Sequence, residues 1–65
     1  MKHIVVEDGL RIDRYCSQYI SELTSLKRAK KWVKQGNILL EGTQVETSRF
    51  VRKGDCLTII FPTQM

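Results

Sequence analysis

The residues best suited to do chemistry in this chain are the lysines and arginines between Ser25 and Gly36. This segment holds five of the eleven Lys and Arg residues and none of the seven Asp and Glu residues. A solvated helix normally carries acidic side chains that pair with its lysines four residues away. Like charges without such partners repel one another, so the segment predicts binding to a polyanion. The alternative is a solvated face that only aids solubility.

Other kinds of chemistry have few residues to support them. The chain has one His and two Cys residues, and Cys16 and Cys56 show neither a zinc-site spacing nor a disulfide pattern. We expect both cysteines to be small core residues. The sequence also offers no nucleophile with a suitable base and no glycine-rich phosphate loop. We therefore expect no catalytic residue, no metal, no cofactor and no small-molecule substrate.

The overall composition predicts one small basic domain that spans residues 1–65, with a formal net charge of +4. A chain of this length forms a single domain with a marginal core. No apolar run approaches the roughly 20 residues of a membrane span, and the N-terminal segment lacks a signal-peptide pattern. We expect a monomeric cytoplasmic protein without a membrane partner.

The basic segment has the signals of a short helix. Ser25 can accept a hydrogen bond from a first-turn N–H group, and Gly36 can adopt the left-handed conformation that follows a helix end. At roughly 100° per residue, the apolar and the cationic side chains fall on opposite sides. The apolar side contains Leu26, Ala29, Trp32 and Val33; the outer side contains Lys27, Lys31 and Lys34, flanked by Arg28, Lys30 and Gln35. A base-stacking role for Trp32 is conceivable, but its position among the apolar residues favours the core.

An earlier segment predicts another amphipathic helix. Apolar residues recur at helical spacing from Ile12 to Leu23, and we expect the helix to fray near Ser21. The link to the next helix is short, so the two helices should be neighbours. Arg11 and Arg14 would then extend the basic surface. Arg11 could equally pair with a nearby Asp as a structural brace.

The remaining segments predict strands and turns. The expected strands are His3 to Val6, Asn37 to Leu40, Thr43 to Thr47 and Cys56 to Phe61, with turns at Glu41-Gly42 and at Lys53 to Asp55, and with Pro62 after the last strand. The sequence therefore predicts an α+β fold, in which two short helices pack on one face of a small, mostly antiparallel β-sheet. The expected core contains Ile12, Tyr15, Tyr19, Ala29, Val33, Ile38, Leu57 and Ile59.

Five short motifs occur in a specific order between Leu10 and Ile60. They are Arg11-Ile12-Asp13, Ser25-Leu26-Lys27-Arg28-Ala29, Trp32-Val33-Lys34-Gln35-Gly36, Ile38-Leu39-Leu40-Glu41-Gly42 and Gly54-Asp55-Cys56-Leu57. In order and spacing they resemble the RNA-binding domain named for ribosomal small-subunit protein four, also called the αL motif. Members of that family bind structured RNA with the second helix, the start of the first helix and the adjoining hairpin.

The resemblance implies structured RNA, either rRNA or tRNA, as the partner. It also implies one of two contexts, the N-terminal domain of an RNA pseudouridine synthase or a stand-alone ribosome-associated factor. Charge pattern and resemblance together suggest these RNA-binding residues: Arg11, Arg14, Ser25, Lys27, Arg28, Lys31, Lys34, Gln35 and Asn37.

The chain departs from the family pattern at three positions. Leu26 stands where the family has an arginine, and Lys27 stands where the family has its second serine, so Lys27 would have to make the missing phosphate contact. Glu41 replaces the turn asparagine. Because Asn tolerates positive φ better than Glu, we expect a different turn type or orientation there, and the negative charge excludes Glu41 from the binding set.

Two alternatives of other classes remain open. A winged helix-turn-helix DNA-binding domain also has a basic second helix after a short turn, but a further helix usually precedes that pair, and none is predicted here. A protein-interaction module for an acidic partner would expose an apolar patch.

Overall fold

The computed structural model describes residues 1–61. The two helices are α1 (Ile12–Tyr19) and α2 (Leu26–Lys34), and the strands are β1 (Lys2–Ile4), β2 (Ile38–Leu40), β3 (Thr43–Gln44) and β4 (Cys56–Ile59). These strands form one antiparallel sheet in the order β1-β4-β2-β3. The predicted α+β fold is confirmed. Within residues 1–61, neither helix is long and apolar enough to cross a bilayer.

One hydrophobic core joins the helices to the sheet. Along β2 and β4 buried residues alternate with more exposed ones, as expected for a sheet that is covered on one face. The helices contribute side chains from the sides that face each other and the sheet. Seven of the eight predicted core residues are buried, namely Ile12, Tyr15, Ala29, Val33, Ile38, Leu57 and Ile59.

The eighth predicted core residue, Tyr19, is 40% exposed, so its assignment to the core was wrong. Helix α1 ends at this residue, two residues before Ser21, because Ile20 is extended with φ −101° and ψ 113°. The Tyr19 ring stacks on Tyr15 with centroids 4.4 Å apart, and its hydroxyl donates a hydrogen bond to Glu7. This hydrogen bond stabilises the protonated phenol, which raises the pKa of Tyr19.

The β2–β3 hairpin turns at Glu41 and Gly42, as predicted. The expectation of a different turn type was wrong, because φ is +52° at Glu41 and +77° at Gly42, as a two-residue type I′ turn requires. The Glu41 carboxylate accepts a hydrogen bond from the Cys56 N–H at 2.7 Å, and the Glu41 N–H donates to the Cys56 carbonyl at 2.9 Å. These two bonds against β4 offset the cost of positive φ at a residue with a side chain.

All four strands are shorter than predicted, and β2 begins at Ile38 rather than at Asn37. Strand β1 ends at Ile4, β3 ends at Gln44, and β4 ends at Ile59 although it is still the longest strand. Phe61 therefore lies beyond β4 and is 40% exposed. Pro62, which was expected to end this strand, lies outside the described residues.

The two cysteines are free thiols. Cys16 is fully buried, as predicted, whereas Cys56 is only half-buried. Burial, together with the nearby Asp13 carboxylate, raises the pKa of the Cys16 thiol to about 12. Cys16 thus behaves as a small apolar core residue.

Candidate nucleic-acid interface

Helix α2 begins and ends where the sequence predicts. Ser25 is the N-cap, in the extended conformation, and its Oγ accepts a hydrogen bond from the Arg28 N–H at 3.4 Å. At the other end Gln35 is the C-cap, and Gly36 follows with φ +81°. The Gly36 N–H donates to the Val33 carbonyl at 3.2 Å, which satisfies one of the last carbonyls of the helix.

Helix α2 has a buried apolar side and an exposed charged side. Ala29 and Val33 are fully buried, while Leu26 and Trp32 are half-buried at the margins. Trp32 packs against the core, so its predicted core position is confirmed only in part. The exposed side carries all five cations of the segment, Lys27, Arg28, Lys30, Lys31 and Lys34.

A surface groove runs along the charged side of α2. Its volume is about 740 Å³, and its lining consists of Thr24, Ser25, Lys27, Arg28, Lys31, Trp32 and Gln35. Five of the nine predicted binding residues therefore lie together. Sequence reasoning did not assign Thr24 and Trp32 to this surface. The available signal for Trp32 was its place one helical turn after Arg28, at the border between the apolar and the cationic sides.

Lys34 is exposed, but it belongs to a neighbouring depression that is also lined by residues 44–48. Its backbone carbonyl accepts a hydrogen bond from Gln44 Nε2 at 3.0 Å. Strand β3 is thereby attached to the end of α2. The hairpin thus adjoins the basic side of the helix.

Asn37 connects the end of α2 to the chain beyond β4. Its Nδ2 donates a hydrogen bond to the Ile60 carbonyl at 2.6 Å, and its backbone N–H donates to the Trp32 carbonyl at 2.9 Å. Because these contacts engage Asn37 within the fold, its first role is to position α2. It does not line the groove.

Arg11 and Arg14 are exposed at the start of α1 and do not line the groove. Arg11 is the N-cap of α1, and its backbone forms an isolated antiparallel β-bridge with Phe50. The two nearby carboxylates that could brace Arg11 each accept a hydrogen bond from a backbone N–H group. Asp13 Oδ1 accepts a hydrogen bond from the backbone N–H of Arg14 at 2.7 Å, and Asp8 Oδ1 accepts one from the backbone N–H of Lys53.

Most acidic side chains of the described residues accept hydrogen bonds from neutral groups. Six of the seven carboxylates accept hydrogen bonds from a hydroxyl or a backbone N–H: Glu7, Asp8, Asp13, Glu22, Glu41 and Asp55. None of these six bonds involves a Lys or Arg side chain. No carboxylate lines the groove beside α2, so the cations there favour the binding of anions.

The described residues contain no group of three or more His, Cys, Asp or Glu side chains that could hold a metal ion. Comparisons of the chain with protein-family models, with curated proteins and with solved structures give no match. Its function has to be inferred from its own residues.

Proposed function

We propose that this chain is an RNA-binding module that binds structured RNA, either rRNA or tRNA, through the charged side of α2. The observation that carries this proposal is the groove in which Lys27, Arg28 and Lys31 lie together without a neutralising carboxylate. Phosphates of a nucleic-acid backbone are the ligands that such a cluster binds best. The hydroxyls of Thr24 and Ser25 and the amide of Gln35 also line the groove. They can form hydrogen bonds with RNA sugars, whose 2′-OH groups are both donors and acceptors.

The motif resemblance supports the same proposal. The domain named for ribosomal small-subunit protein four has two helices on a small antiparallel sheet, and this chain has that architecture. The departure at Leu26 is also accommodated, since Leu26 is half-buried outside the groove whereas Lys27 lines it. In this proposal Lys27 makes the phosphate contact that the family assigns to the preceding residue.

In this proposal the protein is a cytoplasmic monomer without a catalytic site of its own. It acts either as the N-terminal domain of an RNA pseudouridine synthase or as a stand-alone ribosome-associated factor. A winged helix-turn-helix domain, which binds duplex DNA, normally has a further helix before this helix pair. Within the described residues the element before α1 is strand β1, so the observed elements favour structured RNA as the partner in this proposal.

A salt titration tests the proposal. Fluorescence anisotropy would measure binding of a labelled rRNA or tRNA hairpin, with a DNA duplex of equal phosphate number as the control. If the groove cations, Lys34 and one arginine of α1 contact about five phosphates, log K should fall with log salt with a slope near −4. A slope near zero for RNA would contradict the proposal, and so would equal affinity for the DNA duplex.

A further inference from the structure

We infer that the groove beside α2 holds one unpaired nucleotide of the RNA, with its base against Trp32 and its phosphates on Lys27, Arg28 and Lys31. This inference rests on the proposed function, since it names the kind of RNA that the same surface selects. Such an RNA presents an unpaired base in a loop, a bulge or a single-stranded end.

The aromatic component of the site is the exposed part of Trp32. The indole packs against the core on one side, and part of its surface lines the groove. Phe61 contacts the indole nearly at a right angle, with an interplanar angle of 82° and centroids 5.6 Å apart. Phe61 does not line the groove, so this contact holds the indole from outside it. Among the described residues, the part of the indole that lines the groove is therefore open to a base.

Polar groups line the groove together with the indole. Arg28 and Lys31 lie one turn before and one residue before Trp32, and both line the groove. Ser25 Oγ accepts a hydrogen bond from the backbone, so its O–H remains able to donate. The exposed Gln35 amide supplies both a donor and an acceptor for a base edge. An acidic peptide would bind the cations but would make no use of the indole.

Size and stereochemistry favour an unpaired nucleotide over a base pair. A groove of about 740 Å³ lies within the roughly 300–1,000 Å³ range of small-ligand sites. In an RNA duplex the base faces are stacked inside the helix, and the major groove is too narrow for side chains to read. Only an unstacked base can present its face to Trp32. Stacking of this kind is tolerant of base identity, so the site should select unpaired structure rather than sequence.

Trp32 is the only tryptophan of the chain, so its fluorescence reports directly on the groove. The full chain would be titrated with three blunt-ended RNA hairpins of equal phosphate number, each closed by a base-free linker so that the loop presents no unpaired base. One carries a single-base bulge, the second carries an abasic residue at the bulge, and the third is fully paired. The bulged hairpin should quench the indole and bind roughly 5- to 150-fold more tightly than the other two, which is the affinity that one stacked base contributes.

Two substitutions separate stacking from charge. Trp32→Leu should reduce the preference for the bulged hairpin to within about twofold, while the salt slope stays unchanged because the phosphate contacts remain. Trp32→Phe should keep most of the preference, because it retains an aromatic ring. Thermal melts would show that each variant is folded, and if Trp32→Leu does not fold, the abasic hairpin decides with the parent protein alone.

The outcomes distinguish this inference from the function on which it rests. If the parent protein binds all three hairpins equally, with the expected salt slope and unchanged indole fluorescence, the nucleotide site is wrong and RNA binding stands. If none of the three hairpins binds, both proposals are wrong.

Discussion

Replacing Lys27, Arg28 and Lys31 with Ala tests whether the position of the cations matters or only their number. All three are exposed and line the groove. A matched control removes three exposed cations that lie outside α2, namely Lys2, Arg52 and Lys53. Each variant lowers the net charge of +4 by three, so the two differ only in where charge is lost.

The groove variant should fold at least as well as the parent. Lys27 and Lys31 are four residues apart in α2, and Arg28 and Lys31 are three apart, so both pairs repel. Relief of each like-charge pair stabilises a helix by about 0.2–0.5 kcal/mol, and Ala is the best helix former. The melting temperature should therefore stay the same or rise slightly, which thermal melts followed by circular dichroism would measure.

RNA binding by the groove variant should nevertheless be weaker. Three lost phosphate contacts at about 0.7–0.9 counterions each reduce the steepness of the salt slope by about 2 to 3. If each contact contributes on the order of 0.5 to 1 kcal/mol, the affinity falls roughly tenfold or more. The control variant should lose less than about threefold, through its lower overall potential.

The measurement is an anisotropy titration at several salt concentrations, below the melting temperature of each variant. Equal losses in the two variants would refute the reasoning, because net charge alone would then explain the binding. Parent-like affinity of the groove variant would exclude α2 as the recognition surface.

Three further predictions concern stability. Val33→Ala should lower the free energy of unfolding by about 1 to 3 kcal/mol by leaving a cavity in the core, while RNA affinity of the folded protein stays unchanged. Gly36→Ala should cost about 1 to 2 kcal/mol in urea denaturation, because φ is +81° and the new Cβ would lie 3.4 Å from Gln44 Oε1. Because the pKa of Cys16 is raised from 9.0 to about 12, its unfolded thiol ionises first as pH rises, so stability should fall across that interval. The loss should reach about 1.4 kcal/mol per pH unit at most, and Cys16→Ala should lack this component in matched denaturation curves.

The sequence predicts α2 accurately because its ends depend on local chemistry. Ser25 and Gly36 each act on the backbone within one turn, and no distant contact is needed to place them. The end of α1 was predicted less well. Ile20 and Leu23 are buried, as helical spacing indicates, but they reach the core from extended and turn backbone. Hydrophobic periodicity indicates which residues are buried, but it does not show whether the backbone that carries them is helical or extended.

The candidate site was predictable in its charge but not in its full lining. The cations of α2 face outward because the opposite side of the helix is apolar, and this follows from the sequence. Trp32 lies at the border of the two sides of the helix. Helical spacing alone therefore could not predict that one part of the indole packs against the core while another part lines the groove. The contacts of Asn37 and Glu41 depend on Ile60 and Cys56, which are distant in the sequence. Such contacts exist only once the sheet has formed.

The sheet order also has a consequence for how the protein is made. Strand β4 pairs with both β1 and β2. In the β1–β4 pair Lys2 is the partner of Thr58, so residues near the two ends of the sequence are neighbours in the sheet. Contacts between residues so far apart form late, since the entropy of closing the loop must be overcome first. The two helices, joined by a short link, can meet earlier. A nascent chain that has emerged from the ribosome only as far as the β2–β3 hairpin would display the cations of α2 over an incomplete core, which favours aggregation until β4 is added.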